Sequence, residues 1–203
     1  MRKLWKRIVI CLTLAVSVWC GSVLADRQKL NDELIRLHVV ANSDSPEDQA
    51  VKLQVRDAVL LSLQEDLARI ADVGEAKAYL QENLPKIQAV AEETLKGAGF
   101  DCGAVVTLCR ETFDTRFYDT FTLPGGVYEA LRITIGEGKG HNWWCVAFPS
   151  LCLSATTEGF EATAAGAGFS EGLTGALEGE KPYEVRFFLL DALGKLENFF
   201  FKA

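Results

Sequence analysis

The chain is 203 residues long, 49% hydrophobic and 24% charged, with a formal net charge of −7. That length allows one domain with a sizeable core. An acidic chain with no basic run in its globular part is a poor nucleic-acid binder and is repelled by anionic membrane surfaces, which leaves a protein partner or an uncharged ligand.

Arg2, Lys3, Lys6 and Arg7 precede an apolar run from Ile8 to Trp19, and Val23-Leu24-Ala25 comes just before the first acidic residue, Asp26. This is the layout of a secretory signal cut after Ala25, so residues 1–25 are read as a signal peptide and 26–203 as a single exported domain. The competing reading is an uncleaved N-terminal anchor, because the 18 residues from Ile8 to Ala25 carry no charge. Bulky Val18 and Trp19 ahead of Cys20 argue against lipoprotein processing. The cut removes four of the 21 basic residues and none of the 28 acidic ones, for an exported charge of −11.

Leu34 to Ala41 is short, apolar and rich in branched residues, the pattern of a strand. His38 within it reads as a packed, hydrogen-bonded histidine. In the following Asn42-Ser43-Asp44-Ser45-Pro46-Glu47-Asp48, Ser45 suits an N-cap, Pro46 the first helical position and Asp48 the third. Capping leaves Asn42 and Asp44 unexplained; they either brace the turn or face a partner.

A helix over 45–70 carries Val51, Val55, Ala58 and Val59, then Leu60, Leu63, Leu67 and Ile70, a broad buried stripe. A second cap at Asp72 opens a helix over 75–96, bent at Pro85 and stopped by Gly97-Ala98-Gly99. Cys102 to Phe113 alternates like a strand, Phe113 to Phe121 is aromatic and irregular, and Leu123-Pro124-Gly125-Gly126 turns into a strand over 127–135. Residues 154–182, rich in Ala, Gly, Thr and Glu, read as a flexible, solvated excursion. Tyr183 to Phe188 reads as a last strand, before a helix burying Leu189, Leu193, Leu196 and Phe200. The fold class expected is α+β: a small, mostly antiparallel sheet covered by two amphipathic helices, plus a C-terminal helix.

The stretch from Ile133 to Cys152 is the least generic. Gly136, Gly138 and Gly140 follow a strand, but Lys139-Gly140 is the wrong order for a phosphate loop and no helix follows, so a tight turn is expected. Trp143 and Trp144 point to opposite faces of an extended chain, so that one ring can enter the core while the other stays half exposed as a candidate partner contact.

The exported part keeps Cys102, Cys109, Cys145 and Cys152, which allow three complete pairings. Cys102 and Cys109 lie seven apart in one strand, about 20 Å, too far to pair. Pro149 can turn the chain between Cys145 and Cys152, making those two the candidate disulfide. No further Cys or His pair completes a tetrahedral metal set, and neither metal nor cofactor is expected.

Three blocks carry a family resemblance: Leu34-Ile-Arg-Leu-His-Val-Val-Ala-Asn-Ser-Asp-Ser-Pro-Glu-Asp-Gln-Ala-Val-Lys, Leu123-Pro-Gly-Gly-Val-Tyr-Glu-Ala-Leu-Arg-Ile, and Ile135-Gly-Glu-Gly-Lys-Gly-His-Asn-Trp-Trp-Cys-Val-Ala-Phe-Pro-Ser-Leu-Cys. Together they resemble stage II sporulation protein R of endospore-forming bacteria, and the tract 154–182 matches no block of that family. The resemblance implies a non-enzymatic signal, exported into the space between forespore and mother-cell membranes. There it activates, by protein contact, a membrane-embedded aspartyl protease that matures the precursor of an early mother-cell sigma factor. It places the partner-binding candidates at Asn42, Asp44, Asn142, Trp143, Trp144, Phe148 and Pro149, with Cys145 and Cys152 in the same motif and His141 outside it. The competing function is an exported cysteine hydrolase with Cys145 as nucleophile and His141 or His38 as base. In an extended segment His141 lies about 13 Å along the chain from Cys145, too far without a fold-back.

Overall fold

A computed structural model describes residues 2–118, 121–149, 173–174, 177 and 185–202. Its centre is strand β1 (Ile35–Val40), in which all six residues are buried. Branched side chains favour the extended backbone, and cover on both faces explains a near-continuous apolar run in place of strict alternation. Four strands share the sheet with the order β2-β5-β1-β6, where β2 is Ala104–Phe113, β5 is Gly126–Ile135 and β6 is Asn142–Phe148. β1 runs parallel to β5, while β1–β6 and β2–β5 are antiparallel. The expected mostly antiparallel sheet therefore has one parallel ladder at its centre, which the long helical crossover between β1 and β5 makes possible. A two-residue hairpin, β3 (Arg116–Phe117) with β4 (Thr122–Leu123), fills the irregular aromatic stretch.

Helices α2 (Pro46–Leu67) and α3 (Val73–Gly97) cover one face. In α2 the buried side chains Val51, Val55, Val59, Leu63 and Leu67 recur every four residues. In α3 they are Ala76, Leu80, Ile87, Ala91 and Leu95, and the helix continues through Pro85. These stripes meet Ile35, Leu37 and Val39 of β1, Leu131, Ile133 and Ile135 of β5, and Cys145 and Ala147 of β6. Each large aliphatic group buried there contributes about 1.5–3 kcal/mol. Both predicted caps form: Ser45 accepts from the Asp48 amide at 3.1 Å, and Asp72 from the Glu75 amide at 3.0 Å.

The opposite face is covered in part by the last turns of α1 (Arg2–Glu33) and by α4 (Val185–Lys202). α1 runs unbroken through Ala25, the position of the expected cut, and its residues Val23, Asp26, Arg27 and Leu30 are buried in the fold. Its N-terminal part is long and apolar enough to cross a membrane. Arg27 ties it down, donating to Glu197 at 2.6 Å and to the Tyr128 hydroxyl at 3.1 Å.

Two expectations for the C-terminal region are corrected. Residues 185–188, read as the end of a strand, are the first turn of α4, since a short apolar run cannot be told from a helix by periodicity alone. The stripe also differs: Leu190 is buried and Leu189 and Leu193 pack beside it, whereas Leu196 and Phe200 are 54% and 68% exposed. Gly194 sets this rotation, because an ideal Cβ there would sit 1.7 Å from the Gly125 carbonyl oxygen. Only a glycine lets the helix backbone come so close. Leu173 and Leu177 are buried in the same core, while apart from these and Thr174 the tract 154–182, and Tyr183, lie outside the described residues.

Candidate functional site

Asn42, Asp44 and Asn142 gather at one end of the sheet, where β1 leaves for α2 and β5 turns into β6; Trp143 and Trp144 follow along β6, and Phe148, opposite Ile35, and Pro149 after it lie at the far end. Gly136 and Gly138 have positive φ (54° and 61°), which makes the glycine run a tight turn as expected. Asn42 ties the two connections together. Its side-chain oxygen accepts from the Glu137 amide at 3.0 Å, its backbone oxygen accepts from the Lys139 amide at 3.1 Å, and its amide group donates to Asp48 at 2.9 Å. A Cβ on Gly136 would come within 2.2 Å of that side-chain oxygen, so the glycine also makes room for the bond.

Asp48 is buried and also accepts from the Ser43 hydroxyl at 2.5 Å. The Ser43 hydroxyl first, and then the Asn42 amide, hold its carboxyl below the usual range. Asp44 accepts from both the backbone amide (2.6 Å) and the ring Nδ1 (2.5 Å) of His141. Lys52 completes the bracket by donating to the His141 carbonyl at 3.0 Å. Of the two options left open for Asn42 and Asp44, turn bracing is what their bonds perform. Asp44 is in addition exposed, whereas Asn42 is partly buried.

β6 forms one edge of the sheet, and its alternation sends Trp143 and Trp144 to opposite faces. Trp144 packs against the core on its face, whereas Trp143 stays outside both core clusters. Trp143 is 38% exposed beside α2, with the Arg56 guanidinium 4.3 Å from its centroid. Trp144 is half-buried on the other face, stacked on His38 at 5.5 Å, with the Arg116 guanidinium 3.5 Å from its centroid. Phe148 and Pro149 are buried, joined by a cis peptide bond, and so support the strand rather than face solvent. Asn142, opposite Val40 at the start of β6, is partly exposed. Cys145 is disulfide-bonded, whereas Cys11, Cys20, Cys102 and Cys109 are free thiols. Cys152, its expected partner, lies outside the described residues.

Sequence reasoning passed over the basic groups around these rings. Arg36, fully buried in β1, donates from Nε to the Cys145 carbonyl at 3.1 Å and from Nη2 to the Tyr118 hydroxyl at 3.0 Å. His38 is packed and hydrogen-bonded as expected, with Nδ1 2.9 Å from Glu111, and Glu111 also pairs with Arg132 at 3.5 Å. The available signal was the charge in Leu-Ile-Arg-Leu-His, an arginine inside an apolar strand that needed a partner somewhere. Among the described residues, no three His, Cys, Asp or Glu side chains gather as a metal site requires.

These elements coincide with a known sequence profile. A model of the family described as Stage II sporulation protein R matches residues 31–158, which takes in β1 through β6 and both tryptophans. The curated Stage II sporulation protein R of Bacillus subtilis (strain 168) is 41% identical over 122 residues, 60% of this chain and 54% of that protein. The chain thus aligns with about half the length of that curated relative, and no solved structure matches. With the family profile covering more than half of its residues, the strand–loop–cap block and the double-tryptophan strand included, the chain belongs to the stage II sporulation protein R family.

Proposed function

We propose that this protein is an exported sporulation signal that acts by contact, activating a membrane-embedded aspartyl protease which matures the precursor of an early mother-cell sigma factor. Membership of the family supports a sporulation signalling role. The apolar N-terminal helix is in keeping with export. The observation that carries the contact reading is the edge strand β6, which presents two adjacent tryptophans on opposite faces, each partly solvent-accessible and each beside an arginine. Exposed aromatic groups with neighbouring guanidinium groups are the side chains most often found to dominate protein interfaces. The bracket of Asn42, Asp44, Asp48 and His141 keeps the start of that strand in place.

The cysteine hydrolase reading requires a thiolate at Cys145, and the disulfide there counts against it. Asp44 beside His141 and Glu111 beside His38 would suit such a base, but His38 stacks on Trp144 on the sheet face opposite the helix-covered one that holds Cys145.

The test is co-expression with the protease and the sigma-factor precursor. Trp143→Ala and Trp144→Ala are expected to leave an exported, folded protein with impaired precursor processing. Full processing in both variants overturns the contact reading, and a reactive free thiol at Cys145 in the exported protein revives the hydrolase.

A further inference from the structure

Among the described residues, the strands and hairpin around Trp144 carry more guanidinium groups than carboxylates to pair with them. Arg36, Arg116 and Arg132 supply three guanidinium groups there, and His38 an imidazole. The carboxylate among them, Glu111, is already shared between His38 and Arg132. Arg36 and Arg116 have no ion-pair partner among the described residues. Three of the buried nitrogens on this face, Arg36 Nη1, His38 Nε2 and Arg116 Nε, have no hydrogen-bond partner among those residues. Buried cations are normally paired, and buried donors are normally bonded. The bonding rule is broken three times in one place, and the pairing rule by the fully buried Arg36, on a chain whose net charge is −7.

The three groups follow one another along two rings, with His38 between them. The Arg36 guanidinium lies 4.5 Å from the Phe113 centroid, and His38 meets Phe113 edge-on at 6.2 Å while stacking on Trp144. Arg116 lies over Trp144. Exposure rises along this series, from Arg36 at 0% through His38 at 7% to the partly exposed Trp144 and Arg116, so a ligand enters beside Trp144. Guanidinium forks match the two oxygens of a carboxylate. A phosphate fits the same forks; the carboxylate follows because the contact reading makes the occupant a protein segment, whose own anions are Asp and Glu side chains.

We propose that Arg36, His38 and Arg116 form a recognition site for a carboxylate of a protein partner, an Asp or Glu side chain admitted next to Trp144. This rests on the contact reading given above and gives that contact a chemistry: the partner segment is acidic. Arg116 meets the ligand at the entrance, and Arg36 holds its inner oxygen.

The site is tested with the full chain in uncharged detergent micelles, using the tripeptide N-acetyl-Ala-Glu-Ala-amide, its Gln counterpart and sodium phosphate as probes. The readouts are the NMR signals of the arginine Nε–H and tryptophan indole N–H groups. The Glu tripeptide is expected to shift the Arg116 and Trp144 signals saturably, about tenfold more tightly than the Gln tripeptide. Arg116→Gln is expected to weaken binding by about tenfold. Arg69→Gln, which alters an exposed arginine paired with Glu65 just past the end of α2, is expected to leave it unchanged. No saturable shift, an equal response to both tripeptides, or tighter binding of phosphate than of the Glu tripeptide each overturns the proposal. The titration contains no protease, so its failure leaves the Trp144 contact standing. Full precursor processing by Trp144→Ala removes that contact and leaves the titration untouched.

Discussion

Asn42→Ala separates a structural role from a binding role at the residue where the family motif and the fold both converge. The substitution removes the bond donated to Asp48 (2.9 Å) and the one accepted from the Glu137 amide (3.0 Å). Glu137 is exposed, so water replaces the second bond at little cost. The first goes to a buried carboxylate, and a lost bond to a charged group costs about 1.5–3 kcal/mol. The sum is about 2–3 kcal/mol, or a Tm lower by roughly 4–12 °C for a chain of this size. The pH profile gives an independent check. Hydrogen bonding holds the folded-state pKa of Asp48 below its unfolded value. The associated stability is therefore present above the ordinary carboxylate range and lost as pH falls through the depressed pKa. Asn42→Ala weakens that depression, so the variant should lose less additional stability on acidification than the parent does. Urea unfolding of the full chain in mild detergent, followed by tryptophan fluorescence at about pH 7 and about pH 3, measures both effects. A change under about 0.5 kcal/mol at neutral pH, with precursor processing nonetheless lost, would refute the bracing argument and make Asn42 a contact residue.

Arg27→Met strips Glu197 of a partner whose own side chain is only 7% exposed, and should cost several kcal/mol, on the order of 3; the urea midpoint reports it, and Glu197→Gln in the same background should add little. Ser45→Ala should cost about 1 kcal/mol, the usual value of an N-cap, with processing unaffected. Burial, aided by the bond to Asp66, pushes the Tyr79 hydroxyl up to about 12. Because the folded pKa lies above the unfolded one, that contribution is complete below about pH 10 and declines above it. Tyr79→Phe should flatten the alkaline limb of the stability curve between those values, and an unchanged limb would exclude Tyr79 as its source.

Much of the frame was legible in the chain itself because it rests on local rules. Ser45, Pro46 and Asp72 announce helix starts through their own backbone bonds, Gly136 and Gly138 announce a turn through positive φ, and the four-residue spacing in α2 and α3 marks the buried stripe. The alternation of Trp143 and Trp144 likewise follows from strand geometry. The parallel pairing of β1 with β5 did not follow, since it joins segments separated by both α2 and α3. Nor did the face that α4 buries, which Gly194 settles by its close approach to Gly125.

Sequence alone therefore determined where helices and turns begin and which residues prefer the interior, as those depend on neighbours within a few positions. Only the tertiary structure decided what Asn42 bonds to, and only it brought Arg36, His38 and Arg116 together around Phe113 and Trp144. Charge balance at a site is a sum over groups from distant strands, and no window along the chain contains that sum.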